Sequence, residues 1–319
     1  MTISDSPLVS VVMAAFNEEG AIEDTLLSIS NQTYPNLEIL VVDDGSTDAT
    51  REVVSGVARR DVRVRLIAEL HRGLTAALRT GCAEARGAFI ARHDAGDVSD
   101  SRRIELQLEH ITHDPLRVLV SCTTRYLAPG GELMYDSTGE VDDHAVRSAL
   151  LNEPVTRIRG LSHHGSAFFG RADYEAAGGY REQFLVAQDL DLWIRLAERG
   201  KVSFVPEVLY ESVFRPAAIS GEKRHLQVLA SRFAVAIRDE PDRAEELLEQ
   251  LAGALEAKSR DQRRNNARGW YFIGRCLQNR RDPAAADYLR SAVRERPLFW
   301  RARAALLMER LARRPRKEE

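Results

Sequence analysis

GAFIARHDAGDVSDSRR, residues 87–103, decides how the chain folds. An apolar run, Ala88-Phe89-Ile90-Ala91, leads directly into Asp94, Gly96 and Asp97. A buried strand that delivers two carboxylates at its C-terminal end needs a reason, because ionised groups are costly to bury without partners. The segments before it repeat the arrangement. LVSVVMAAF is a β-rich apolar run followed by the helix-like AIEDTLLSISNQ. LEILVVDDGS is a second strand, ending in two acids and a turn at Gly45, and Thr47 and Asp48 are good caps for the helix ATREVVSGVARR. VRVRLIAE and LTAALRTGCAEAR form a third strand and helix. Strands this apolar, joined by crossover helices of about 10–15 residues, predict a parallel sheet covered on both faces.

The polar residues fall where such a sheet places a ligand. Asn17 and Glu18, Asp43 and Asp44, and Asp94 and Asp97 each follow the last apolar residue of a strand. In open parallel sheets the ligand crevice lies outside the carboxyl ends of the strands. Helix capping explains one such end easily and three less well. Paired acids at a strand end suit Mg2+ or Mn2+, which bind one or two carboxylates and complete their shell with water and substrate phosphate oxygens. A diphosphate carried there becomes a better leaving group. Asp43-Asp44 has no basic partner nearby in sequence and suits hydrogen bonding to a nucleobase or ribose.

Beyond Pro115, VLVSCTTRYL, SAFFG and VSFVPEVLYESVF read as strands, and DDHAVRSALLN and AQDLDLWIRLAERG as helices. Residues 222–319 are almost entirely helix-forming. The expected organisation is an α/β domain over 1–215, a linker over 216–221 and an all-α domain over 222–319. Trp270, Gly274, Leu277, Ala285, Leu289, Ala292 and Pro297 follow a tetratricopeptide-like spacing with one residue missing. A helical bundle with accidental spacing is the alternative. The net charge of −3 hides a tail, residues 258–319, of +11 against −14 for the remainder. Three scattered cysteines without metal spacing, and an N-terminus lacking a basic leader, predict a cytoplasmic protein.

The segment VSVVMAAFNEEGAIEDTLLSISNQTYPNLEILVVDDGSTDAT resembles the opening of the family 2 glycosyltransferases, which have the GT-A fold. GLTAALRTGCAEARGAFIARHDAGD resembles the stretch leading into that family's metal motif, and SHHGSAFFGRADYEAAGGYREQF with AQDLDLWIRLAERG the acceptor half of its non-processive members. The resemblance covers about residues 8–215. It implies an inverting transfer of one sugar from a nucleoside diphosphate sugar, a UDP-sugar foremost, to an acceptor hydroxyl on a glycan, glycolipid or protein. Ala15, Phe16, Asn17 and Glu18, with Asp43 and Asp44, then lie beside the base and ribose. Asp94 is the first acid of the metal motif. Asp189 is the general base, with helix capping as its alternative role, and the helix dipole is expected to favour its ionised form.

The chain departs from that family where the motif normally reads Asp-Ala-Asp-Asp, because Gly96 holds the usual ligand acid. Either Asp97 swings in as the ligand, or Asp94 binds through water, or metal binding is weak or lost. His164 is a candidate ligand for metal or phosphate, with packing or capping as its alternative. Arg72 is a candidate for the diphosphate oxygens, with a solvated loop position as its alternative. Asp191 is expected to be structural, paired with Arg195 one turn on. The processive synthases' Gln/Arg-X-X-Arg-Trp motif and membrane helices are missing, which favours single-sugar transfer. The rival reading is an impaired nucleotide-sugar-binding protein whose helices act as an interaction scaffold. The basic tail reads first as a solvated helical face, with a protein partner or an anionic membrane surface at the inner face as the functional alternative, and no nucleic acid partner is expected.

Overall fold

The computed structural model describes residues 6–139, 142–158, 163–215, 224–255 and 262–312. Its organising element is a sheet of nine strands among these residues. Strands β1 (Val9–Ala15), β2 (Leu37–Asp43), β3 (Val64–Ala68) and β4 (Phe89–Asp94) are parallel and stand in the order β3-β2-β1-β4. The helices between them are α1 (Ile22–Ser30), α2 (Thr50–Ala58) and α3 (Leu74–Ala83). β1 and β2 are buried along almost their whole length, as expected of strands covered on both faces.

Past β4 the sheet changes sense. It continues through β8 (Phe168–Gly170), β6 (Arg117–Leu127), β9 (Lys201–Val213) and the two-residue β5 (Val98–Ser99), with β7 (Leu133–Ser137) paired to β6. β8 runs antiparallel to both β4 and β6, and β5 to β9. The parallel order anticipated from the first four strands therefore holds for one half of the sheet. Helices α4 (Arg103–His113), α5 (Asp143–Asn152), α6 (Arg171–Ala176) and α7 (Gln188–Arg199) accompany the second half. The principal core joins the inner faces of β1, β2 and β4 to Ile22, Leu26 and Ile29 of α1, Ile104, Leu108 and Ile111 of α4, and Phe168 and Tyr210.

The remaining helices are α8 (Arg224–Asp239), α9 (Ala244–Leu255), α10 (Gln262–Asn279), α11 (Ala285–Glu295) and α12 (Trp300–Ala312). Contacts divide the chain into two compact units. Residues 228–255 group with the sheet, while 125–135, 213–215 and 224–227 group with the terminal helices. The expected linker, 216–221, lies outside the described residues. Within the second unit, Ile273, Leu277 and Ala285 pack with Ala128 and Met134, and Trp270 stacks on Tyr288. Leu289 of α11 sits over Gly274 of α10, where an added Cβ would lie 2.7 Å from Leu289 Cγ. No helix among the described residues is long and apolar enough to cross a membrane.

Candidate active site

Strand register brings the acid-bearing ends together. Ala15 pairs with Asp43 across β1–β2, and Ala14 with Asp94 across β1–β4. The rim expected from three strand termini is thus one continuous edge.

At its first part, Asn17 takes a left-handed conformation (φ 56°), and its side-chain oxygen accepts from Thr47 N–H at 2.8 Å. Glu18 N–H donates to Thr50 Oγ1 at 2.7 Å, joining the loop after β1 to the start of α2. Phe16 stacks on His71 with ring centroids 4.2 Å apart, and both rings are substantially exposed (42% for Phe16, 57% for the His71 side chain). Asp43 is fully buried and has a basic partner after all. Arg51, in the first turn of α2, donates to its Oδ2 from Nε at 3.0 Å and Nη2 at 2.7 Å, because the helix turns this side chain back toward the strand end. Asp44 accepts from the backbone N–H groups of Arg72 and Gly73, at 2.8 and 2.9 Å, and lies 2.9 Å from His71 Nδ1. The Arg72 guanidinium, expected at the diphosphate, is paired with Glu69 at 2.6 Å.

The second part lies past β4. Gly96 takes φ 89°, a left-handed conformation that side chains adopt only with strain, and its N–H donates to Thr25 Oγ1 at 3.0 Å. That turn directs Asp97 back toward Asp94. Asp94, Asp97 and His163 each offer one ligand atom, all within 4.8 Å of one another. His163 Nδ1 lies 3.7 Å from Asp94 Oδ2 and 3.9 Å from Asp97 Oδ2. The expected histidine, His164, is elsewhere: its Nε2 meets Tyr180 Oη at 2.8 Å. A one-residue change of phase in the turn before β8 exchanges the two rings. The close approach is possible because residue 165 is glycine; a Cβ there would lie 2.2 Å from Tyr210 Oη and 3.0 Å from Asp94 Oδ2.

The electrostatics separate the two acids. Burial alone would raise the Asp94 carboxyl, but the Arg92 guanidinium holds it well below the usual carboxylate range. Burial, and then the Asp94 charge, push Asp97 up to about 8. Burial lowers His163 to about 4 against the pull of Asp94, so the ring is neutral at pH 7 and has a lone pair to give. That lone pair, on Nδ1, accepts from Gly165 N–H at 3.0 Å, a bond a cation would displace. Asp97 Oδ2 is buried and makes no hydrogen bond of normal geometry, although the Tyr210 and Ser212 hydroxyls stand near enough to the carboxyl to favour its ionised form. Such a carboxylate oxygen beside a second acid and a neutral imidazole fits a divalent cation of the Mg2+ or Mn2+ type.

Asp189 stands in the first turn of α7, and the cap position before it belongs to Ala187, which takes φ 56° and ψ 23°. That conformation costs an alanine roughly 1–3 kcal/mol. Capping therefore does not account for Asp189. Its pKa is raised: burial opposes ionisation more strongly than the N–H groups of Leu190 and Asp189 support it, which reverses the expectation from the helix dipole. Arg92 and Asp94 are near enough for their charges to act on it in opposite directions. Asp191 is buried between Arg181, at 2.9 Å, and Arg195, the structural pairing expected for it.

A model of the family described as Glycosyl transferase family 2 matches residues 10–172, which contain both parts of the rim. The chain belongs to this family. Among relatives, the hyaluronan synthase of Pasteurella multocida is 28% identical over 225 residues, 70% of this chain and 22% of that protein. The chondroitin synthase of Escherichia coli is 26% identical over 226 residues, 71% of this chain and 32% of that protein. The chain thus spans between a fifth and a third of these two synthases. The EpsE protein of Bacillus subtilis is 30% identical over 220 residues, 66% of this chain and 74% of that protein.

Two solved structures have the same fold. The mannosyltransferase PcManGT of Pyrobaculum calidifontis, in complex with GDP-Man and Mn2+, superposes with TM-score 0.57 at 23% identity, covering 97% of this chain and 88% of that one. Residues 1–349 of S. aureus TarS, in complex with UDP, give TM-score 0.56 at 16% identity, covering 95% and 88%. This family 2 glycosyltransferase therefore has the GT-A fold with a helical C-terminal extension. Arg92 and Tyr210 carried no local signal in the sequence, whereas Arg51, in the first turn of the helix that follows Asp43, did.

Proposed function

We propose that this family 2 glycosyltransferase moves a single sugar from a nucleoside diphosphate sugar to an acceptor hydroxyl with inversion, and that Asp94, Asp97 and His163 hold the divalent cation it uses. The observation that carries this reading is the buried Oδ2 of Asp97, without a hydrogen bond of normal geometry, facing Asp94 and His163. A divalent cation there would neutralise the charge that develops on the departing diphosphate. The nucleoside end is proposed for the loops after β1 and β2. There the exposed faces of Phe16 and His71 offer stacking, and Asp43 Oδ1 accepts only a 3.2 Å bond from Ser46 N–H. Ala15, Asn17, Glu18 and Asp44 shape that end through their backbone bonds, and Arg72 would have to leave Glu69 to reach phosphate.

Asp189 is proposed as the base. A carboxylate whose proton affinity burial has raised is a better acceptor for a hydroxyl proton than an exposed one. In an inverting displacement it takes that proton as the hydroxyl attacks on the face opposite the diphosphate. The mannosyl and UDP complexes of its structural neighbours support a nucleoside diphosphate donor, and the synthase relatives support a glycan acceptor. For the second unit, the Gly274–Leu289 packing supports a tetratricopeptide-like hairpin. The +11 charge of residues 258–319 supports a protein partner or an anionic membrane surface at the cytoplasmic face.

Incubation with UDP- and GDP-sugars and Mn2+, followed by proton NMR of the freed or transferred sugar, tests the reading. An anomeric configuration opposite to the donor's is expected. Retained configuration contradicts the single displacement. Metal-dependent donor binding without turnover would favour the scaffold reading, which Gly96 in place of an acid supports.

A further inference from the structure

Arg92 lies in the middle of β4 with its side chain 1% exposed, among the largest fully buried side chains among the described residues. Its Nη1 donates to Asp94 Oδ1, while Nε and Nη2 have no hydrogen-bond partner. Leaving two N–H groups of a buried cation unpaired is unfavourable, so hydrogen bonding alone does not explain an arginine here. A second buried arginine fixes its surroundings. Arg103 donates from Nη2 to the Arg92 carbonyl at 2.7 Å and to the Gly165 carbonyl at 2.9 Å, tying β4 to the turn that carries His163. Tyr210 completes the frame, because the Asp94 N–H donates to its Oη at 2.9 Å and its ring stacks on His163 at 5.4 Å.

We infer that Arg92 is a positioning residue for the cation site: by occupying Oδ1 of Asp94 from inside the sheet, it presents Oδ2 alone to Asp97 and His163. The two oxygens of Asp94 face different partners. Oδ1 meets the guanidinium, and Oδ2 points to His163 Nδ1 at 3.7 Å, across the space kept clear by Gly165. Mg2+ and Mn2+ sites need compact, near-octahedral shells, and a carboxylate that offers one oxygen suits such a shell better than one free to swing between one and two. A planar guanidinium holds the carboxylate's orientation, whereas an ammonium holds only its charge. With Gly96 supplying no ligand, the site has few groups to spare, and a fixed Asp94 Oδ2 becomes correspondingly more important.

This inference rests on the cation reading above, and its test separates the two. Free Mn2+ is counted by electron paramagnetic resonance during titration of the full chain and of Arg92→Lys and Arg92→Met, with thermal unfolding of each variant as a control. Partners of this kind behind a metal ligand are expected to contribute roughly 10–100-fold in affinity, so both folded variants should bind Mn2+ more weakly by about that factor. Equal or tighter binding by a folded variant would mean that Arg92 only balances charge, and would overturn the inference. Because removing a buried arginine can unfold the chain, a crystal structure of the native protein with Mn2+ supplies a second reading. Coordination by Asp94 through Oδ2 alone, with Oδ1 kept on Arg92, is expected. Two-oxygen coordination overturns the Arg92 inference only, whereas failure of the native chain to bind Mn2+ overturns the cation reading and this inference together.

Discussion

His163 Nδ1 stands 3.9 Å from Asp97 Oδ2, a carboxylate oxygen with no hydrogen bond of normal geometry, while the adjacent His164 faces Tyr180. The two neighbouring histidines therefore have different tasks. His163→Ala should weaken Mn2+ binding by at least about tenfold, on the scale of losing a metal-site partner. His164→Ala should weaken Mn2+ binding clearly less than His163→Ala, since its Nε2 is bonded to Tyr180 and it lies outside the cluster. Calorimetric titration of both variants decides the matter.

Asp97 titrates at about 8 because burial and the Asp94 charge oppose its ionisation. At pH 7 the metal-free site therefore holds a proton on Asp97 that a cation must displace. Apparent Mn2+ affinity should rise by about tenfold per pH unit up to the neighbourhood of pH 8 and then level, with about one proton released per ion at pH 7. Titration in two buffers of different ionisation enthalpy measures that proton. The stability linkage has the matching sign. A folded pKa above the unfolded value near 4 makes Asp97's contribution fully present below about pH 4 and lost as pH rises through about 8. Mn2+ should restore it.

Gly96 occupies a backbone conformation with φ 89°, so an acid placed there meets strain before it meets a metal. Gly96→Asp should lower stability by about 1–2 kcal/mol, the scale of a left-handed non-glycine residue. Gly96→Ala should lose a similar amount. Mn2+ affinity in Gly96→Asp should not rise, because Asp97 and His163 already complete the cluster. A large gain would instead show that the native site is impaired.

Ala187 holds a left-handed conformation two residues before Asp189. Ala187→Gly removes the side-chain clash and should stabilise the protein by up to about 1 kcal/mol in urea unfolding. Asp189→Asn should fold normally and lose turnover by at least about 100-fold, the usual scale of a missing base. In the native enzyme kcat/KM should fall on the acid side with an apparent pKa above that of an ordinary aspartate, since only ionised Asp189 accepts a proton. That limb should disappear in the Asp189→Asn variant.

Much of the first half of the fold was legible in the sequence. Residues 8–94 alternate apolar strands with amphipathic helices, and each strand end carries the polar residues that register then aligns, Ala15 beside Asp43 and Ala14 beside Asp94. Asp191 and Arg195 were legible for a similar reason, because a helix fixes the spacing of i and i+4. What was not legible depends on contacts between distant segments. Tyr210 meets Asp94 across 116 residues, and Arg103 joins Arg92 to Gly165 without any local pattern. The choice between His163 and His164 turns on the phase of a three-residue turn, which no periodicity reports. Arg51 was readable in principle, as a cation in the first turn of the helix after Asp43, although helix starts favour acids and a cation there is not itself a sign of pairing. The short β5 and β7 carry too little pattern to be placed, whereas the i, i+4, i+7 stripe Ile104, Leu108 and Ile111 made α4 readable in principle. The grouping of residues 228–255 with the sheet follows from packing alone.

The most direct test of the cation-assisted donor site is calorimetric titration of the full chain with UDP and GDP, each with and without Mn2+, in the native protein and in Asp97→Ala. One of the two nucleotides should bind tightly only with Mn2+, and Asp97→Ala should lose this metal-dependent gain while keeping its thermal stability. Nucleotide binding of equal strength without metal, or a full metal-dependent gain in Asp97→Ala, would contradict a cation-assisted donor site.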